Sequence, residues 1–201
     1  MKFCDFAIEE AQGCILAHTI RVSSGIIKKG TILSPSDIDQ LRTAGVNLIM
    51  GARIESGDVD EDTAAARIAD VVLGNNVKVA LPSTGRVNLL ASEDGVFQAN
   101  PNIVIQINRI DEAMTLATLP TNSRVSAGQL VATVKIIPFA VSEASLYQLE
   151  TAVGREGLKL EVAVFRPKRV ALILSRLPRG SEKVIVKRRE SMEKRVSSLS
   201  G

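Results

Sequence analysis

Arg169-Val-Ala-Leu-Ile-Leu-Ser175, followed by Leu177-Pro-Arg-Gly180, is the stretch on which the reading of the fold turns. The first segment is a short aliphatic run of the length of a buried strand, and the second carries the Pro and Gly signals of a turn. Ile185, Met192, Val196 and Leu199 then recur at helical spacing. Strand, turn and helix in that order predict the opening unit of an α/β domain. One strand and one helix cannot bury their own apolar faces, so this unit calls for further βα units, which do not follow before Gly201. The reading therefore expects residues 167–201 to be the start of a truncated domain. Ligands of open α/β sheets sit at the carboxyl ends of several strands, so such a site is at most begun here.

Working back from that stretch, the composition bounds the rest of the chain. Hydrophobic residues are 45% of the 201 and aromatics 3%, with no Trp and one Tyr, which predicts an ample aliphatic core. So few rings weigh against a nucleic-acid surface built on base stacking. The first residues carry Asp5, Glu9 and Glu10 and lack the cationic and apolar regions of a leader. No window approaches the roughly 20 apolar residues of a membrane span. Cys4 and Cys14 have no neighbouring His or second Cys pair and read as idle thiols in a reducing compartment, so the expected location is cytoplasmic.

Charge is unevenly spread. Of the 25 Lys and Arg and the 22 Asp and Glu, 11 and 3 fall in residues 166–201, which leaves 14 and 19 in residues 1–165. A basic end on an acidic body suggests an anionic partner: nucleic acid, a phosphorylated small molecule, or the acidic body of a second copy in a homo-oligomer. The blander reading is a solvated helix face, since Lys187, Arg188, Arg189, Lys194 and Arg195 mostly fall between the apolar positions.

Three units are expected: residues 1–74, residues 75–166 and the truncated domain at 167–201. In the first, residues 14–22 and 26–33 read as strands around a Ser23-Ser-Gly25 turn. Ser34 then caps a helix with Pro35 at its first position and Asp37 three residues on. Residues 46–50 form the next strand. The cluster Asp58, Asp60, Asp62 has the first three spacings of a calcium loop, but Thr63 stands where glycine is required and Ala66 and Ala69 replace later ligands. Capping of a helix bearing Ala65, Ile68 and Val72 explains these acids better, so no metal ligands are expected.

The second unit is predicted to hold strands at 77–81 and 89–97 and a helix after Asn100-Pro101, with Ile103, Ile107, Ile110 and Met114 along one face. Strands at 115–119 and within 125–141 follow, then a helix after Ser142 and a last strand at 158–165. Its loop Ser83, Thr84, Gly85, Arg86, with Asn88, gathers hydroxyls, a flexible backbone and a cation that can cradle a phosphate, although a plain surface turn is the competing reading. Lys135 stands inside an apolar run, either at a sheet edge or aimed at an anion. His18 lies among apolar residues without an evident carboxylate and reads as structural. Nucleophile elbows, Gly-rich dinucleotide loops and zinc motifs are absent from the sequence, and no catalytic residue is assigned.

Taken in order, Gly13-Cys-Ile-Leu-Ala-His-Thr19, Lys28-Lys-Gly-Thr-Ile-Leu33, Ile38-Asp-Gln-Leu-Arg-Thr-Ala-Gly45, Gly57-Asp-Val-Asp-Glu61, Thr84-Gly-Arg-Val-Asn88 and Val131-Ala-Thr-Val-Lys-Ile-Ile-Pro138 resemble the amino-terminal region of bacterial molybdopterin-binding proteins. In that family the region precedes a molybdopterin-binding domain of the molybdopterin adenylyltransferase fold, and some members add a cytidylyltransferase-like domain. The resemblance spans nearly the whole chain, and its motifs carry no known catalytic chemistry. It implies an α/β architecture: a mixed α+β accessory region, then the first strand of the molybdopterin-binding domain, ending at Ser175. The related adenylyltransferases have Asp after that Ser, whereas Arg176 stands here. The Gly-rich pterin-phosphate loop and the later Asp and Pro-Gly elements are missing too, so a complete molybdopterin site is not expected from this chain alone. The implied role is binding or biosynthesis of the molybdenum cofactor by the parent protein. Candidate contacts are Ser83, Thr84, Arg86, Asn88, Lys135 and, by the resemblance, Ser175. A nucleic-acid-associated protein using the basic end is the alternative, and a free-standing enzyme ranks last.

Overall fold

The computed structural model describes residues 1–157, 159–166, 168–175, 178 and 181–198. Helices and antiparallel sheets alternate along the chain, a mixed α/β architecture organised around two apolar cores.

The first core is built by β1 (Lys2–Ala7), β2 (Ile15–Leu16), the β3 (Ile20–Val22) and β4 (Gly25–Ile27) hairpin, α1 (Pro35–Thr43) and β5 (Leu48–Arg53). Strand β5 lies between β1 and β2, with Phe6 opposite Ile49 on the buried face. The expected long strand at 14–22 is broken at Ala17-His18-Thr19, and the one at 26–33 stops at Ile27, because the chain turns at Lys29 and Gly30. Helix α1 starts as predicted. Ser34 Oγ accepts from the amide of Asp37, and the Asp37 carboxylate accepts from the amide of Ser34, a reciprocal cap that buries Ile38 and Leu41. These bonds hold the Asp37 carboxyl below its ordinary pKa.

Strand β6 (Asp58–Asp60) leads into α2 (Glu61–Val72). Sequence alone placed this helix with residues 1–74, yet Ala64, Ala65, Ile68, Ala69 and Val72 pack into the second core. That core is completed by β7 (Val77–Val79), β8 (Arg86–Ala91), β9 (Gly95–Gln98), α3 (Pro101–Ile110), β10 (Met114–Thr118), β11 (Arg124–Val125), β12 (Leu130–Ile136), β13 (Ala140–Ser142), α4 (Glu143–Glu156) and β14 (Glu161–Val164). Its main sheet runs β10-β12-β8-β7, a second sheet runs β11-β9-β14, and β13 pairs with β6. Helix α2 lies on the main sheet and is clamped to α4 by Arg67, which donates to both Glu143 and Glu150 at 2.8–2.9 Å. Helix α3 ends at Ile110, so Met114 is the first residue of β10 rather than part of the helical face. The side chain of Ile103 and the residue Leu158 lie outside what is described.

The carboxyl-terminal stretch departs from expectation. Residues 169–175 are exposed and form no strand among the described residues, because an apolar run without a neighbouring strand has nothing to satisfy its backbone. Helix α5 (Glu182–Ser197) does form, and Val170 and Leu172 meet Met192 and Val196 around a small apolar groove. No described residue of α5 is buried. The expected turn residues Leu177, Arg179 and Gly180, and Leu199 of the expected apolar stripe, lie outside the described residues, as does Arg176. Among the described residues no helix is long and apolar enough to cross a membrane.

Candidate functional site

A cleft of about 740 Å³ opens where the two cores meet. Met1, Phe3, Ala17, His18, Lys29 and Gly30 line it from the first, and Glu61, Thr84, Lys135, Ile137, Pro138 and Phe139 from the second. Its position follows from the β6–β13 pairing. Ala140 stands opposite Asp60, and the amide of Glu61 donates to the carbonyl of Phe139 at 3.0 Å, which brings the start of α2 beside the link after β12. The Lys29 ammonium lies 5.7 Å from the ring centre of Phe139, so a cation–π contact spans the two sides.

The loop picked out in the sequence is a tight hairpin turn joining β7 to β8. Ser83 and Arg86 exchange backbone hydrogen bonds at 3.0 and 3.1 Å, and both central residues have positive φ, 50° at Thr84 and 67° at Gly85. A β-branched residue in that region is strained. Several bonds hold the turn in place. The amide of Gly85 donates to Asp62 Oδ1 at 2.7 Å, its carbonyl accepts from the amide of Ile136 at 2.7 Å, and Lys135 Nζ donates to the carbonyl of Thr84 at 2.5 Å. A side chain at Gly85 has no room, since a Cβ there would lie 2.7 Å from Glu61 Oε2 and 3.0 Å from the carbonyl oxygen of Ile136.

The structure thus brings Thr84 and Lys135 together in the cleft. Lys135 sits on the central strand β12, not at an edge, and its register partner on β8 is Arg86, whose side chain leaves the sheet on the same face. Arg86 is exposed and does not line the cleft, nor does Ser83. Asn88 is engaged within the sheet, accepting from Thr133 Oγ1 at 3.0 Å. Ser175 lies in the exposed carboxyl-terminal segment, outside the cleft lining. Reading the sequence missed Lys29, Glu61 and Phe139 as members of one site. It also took His18 as structural, whereas His18 is exposed and lines the cleft where β2 and β3 are interrupted.

The acids near the cleft divide into engaged and unengaged groups. Asp58 binds the amino terminus at 2.6 Å and the amide of Glu55, Asp60 accepts from the amide of Thr63, and Asp62 holds Gly85. The spacing that mimics a calcium loop is thereby spent on the chain's own donors, and among the described residues no cluster of metal-ligating side chains is found. The Glu61 carboxylate makes no hydrogen bond or ion pair among the described residues, and burial raises its pKa, with Lys135 and Lys29 pulling the other way. The cleft therefore presents the ammonium groups of Lys29 and Lys135, one reluctant carboxylate and an apolar lining from Phe3, Ile137 and Phe139, with the Met1 ammonium already paired with Asp58 and Glu55. Such a surface suits a small anion with an apolar or ring-bearing body.

Residues 5–60 match a family model described as a domain of unknown function, DUF8806. That range holds most of the first core and β6, including His18 and Lys29, and it stops just before Glu61. No curated protein matches the chain.

Proposed function

We propose that this chain is the accessory, ligand-binding region of a protein that binds or builds the molybdenum cofactor, without catalysis of its own, and that its cleft receives the anionic part of a molybdopterin-type ligand. The observation that carries the reading is the convergence of Lys29 and Lys135, from opposite cores, on one apolar-lined cleft. Ammonium groups so placed hold a phosphate by charge-assisted hydrogen bonds, and the neighbouring rings accept a flat body. The resemblance in sequence supplies the ligand class and includes Lys29, Glu61, Thr84 and Lys135 among its quoted residues.

Titration of the purified chain with molybdopterin tests the reading. Saturable binding is expected, weakened at least tenfold when Lys29 and Lys135 are both replaced by Met. Absence of binding, or binding that ignores the double substitution, would remove this cleft from the account.

A second reading rests on α5, whose Lys183, Lys187, Arg188, Arg189, Lys194 and Arg195 are all exposed. It is a phosphate-dominated contact with nucleic acid, which would weaken steeply with salt. No affinity for single or double strands at low ionic strength would dispose of it.

A further inference from the structure

We propose that the cleft takes up a proton on Glu61 as a dianion enters between Lys29 and Lys135. The inference rests on the reading of the cleft as an anion site and adds a proton coupling to it. Glu61 opens α2 and lines the cleft together with both lysines, wedged against the tip of the Thr84–Gly85 turn. Gly85 leaves the carboxylate that room, since a Cβ there would lie 2.7 Å from Glu61 Oε2.

The cleft sets the Glu61 carboxylate beside the ammonium groups of Lys29 and Lys135, while the Met1 ammonium is already paired with Asp58 and Glu55. A dianion held by the two lysines stands beside a carboxylate that no cation neutralises by direct contact, at a greater cost than a monoanion meets, and neighbouring like charges favour the protonated form of the carboxyl. Protonation removes that repulsion and turns Glu61 into a hydrogen-bond donor towards the ligand.

The other titratable groups around Glu61 do not take this role. On its own element Asp60 is engaged by the amide of Thr63 and Asp62 by the amide of Gly85. From the first core the cleft is faced by His18, Lys29 and the amino terminus, the last paired with Asp58 and Glu55. From the second it is faced by Lys135, with Arg86 beside it on the sheet. Desolvation already biases the Glu61 carboxyl towards its neutral form, in the same direction as the proposal.

Sulfate is the probe, because its own charge does not change across the neutral range, and methanesulfonate is the monoanionic comparison. Dissociation constants are measured by NMR titration at a series of pH values from acid to neutral. In the native chain sulfate affinity is expected to fall as pH rises, by at most about tenfold per pH unit, and methanesulfonate affinity to fall less. In Glu61→Gln the pH dependence should disappear and sulfate should bind more tightly at neutral pH than to the native chain. With His18 replaced by Gln in every protein compared, so that no imidazole lines the cleft, the contrast between native Glu61 and Glu61→Gln should remain. A native profile that survives in Glu61→Gln, or a contrast that vanishes once His18 is replaced, overturns the proton coupling while the cleft keeps its anion. Failure of sulfate to shift any cleft resonance at any pH overturns both.

Discussion

Lys135 Nζ donates to the main-chain carbonyl of Thr84 at 2.5 Å, so the central strand of the main sheet grips the tip of the turn that borders the cleft. The ammonium has further donors to offer, and it holds them at a fixed place. Replacing Lys135 by Met is predicted to weaken anion binding by about 1.5–3 kcal/mol, the scale of a hydrogen bond to a charged group. Stability should change little, because the bond is exposed to solvent. Calorimetric binding and a denaturant curve on the same variant separate the two effects.

Gly85 is required twice over, by its φ of 67° and by the 2.7 Å approach of Glu61 Oε2 to a would-be Cβ. Gly85→Ala is predicted to destabilise the chain by about 1–3 kcal/mol. Gly85→Ala combined with Glu61→Ala should recover part of that loss, since the flexible half of the clash is gone. Denaturant midpoints of the two variants and the native chain check this.

Glu61 gives a pH dependence of definite sign. Its folded-state pKa is raised by burial, so its contribution to stability is fully present below the unfolded pKa and is lost as pH rises through the folded value. Glu61→Gln should therefore melt at a higher temperature than the native chain at neutral pH, with the difference shrinking to nothing below about pH 4. A constant difference across the range would contradict it.

The Arg67 clamp titrates in the opposite sense. Hydrogen bonds from Arg67 hold the Glu143 carboxyl below its ordinary value, so the linked stability is present above the unfolded pKa and lost as pH falls through the folded one. Arg67→Met should cost about 0.5–1 kcal/mol through its partly buried pairing with Glu150, as expected for a well-aligned ion pair. Thermal melts at neutral and acid pH should show the gap between variant and native chain narrowing in acid.

Local signals in the sequence were legible where short-range chemistry decides the outcome. Ser34, Pro35 and Asp37 announce the start of α1, and Ser142 with Leu146, Leu149 and Val153 announces α4 and its buried face. Met114 was misassigned because its spacing continues the period of Ile107 and Ile110, although Asp111 ends the helix in extended backbone. The apolar run at 169–175 has strand composition, but a strand needs a partner, and partners are a property of the whole fold. The cleft was half legible. Thr84 and Lys135 stood out as a turn and as a cation inside an apolar run, whereas Lys29, Glu61 and Phe139 join them only through the β6–β13 pairing. No local pattern announces that pairing. A lone Lys-Gly step and a helix-opening Glu are ordinary surface features until the chain crosses back to meet them.

The central claim is that a small anion binds between the two cores, and an NMR titration of backbone amides with phenyl phosphate tests it most directly. The account predicts saturable shifts concentrated at Lys29, Gly30, Glu61, Thr84, Ile137 and Phe139 and abolished in the double variant Lys29→Met, Lys135→Met. Shifts confined to α5, or spread evenly over the surface lysines, would contradict it.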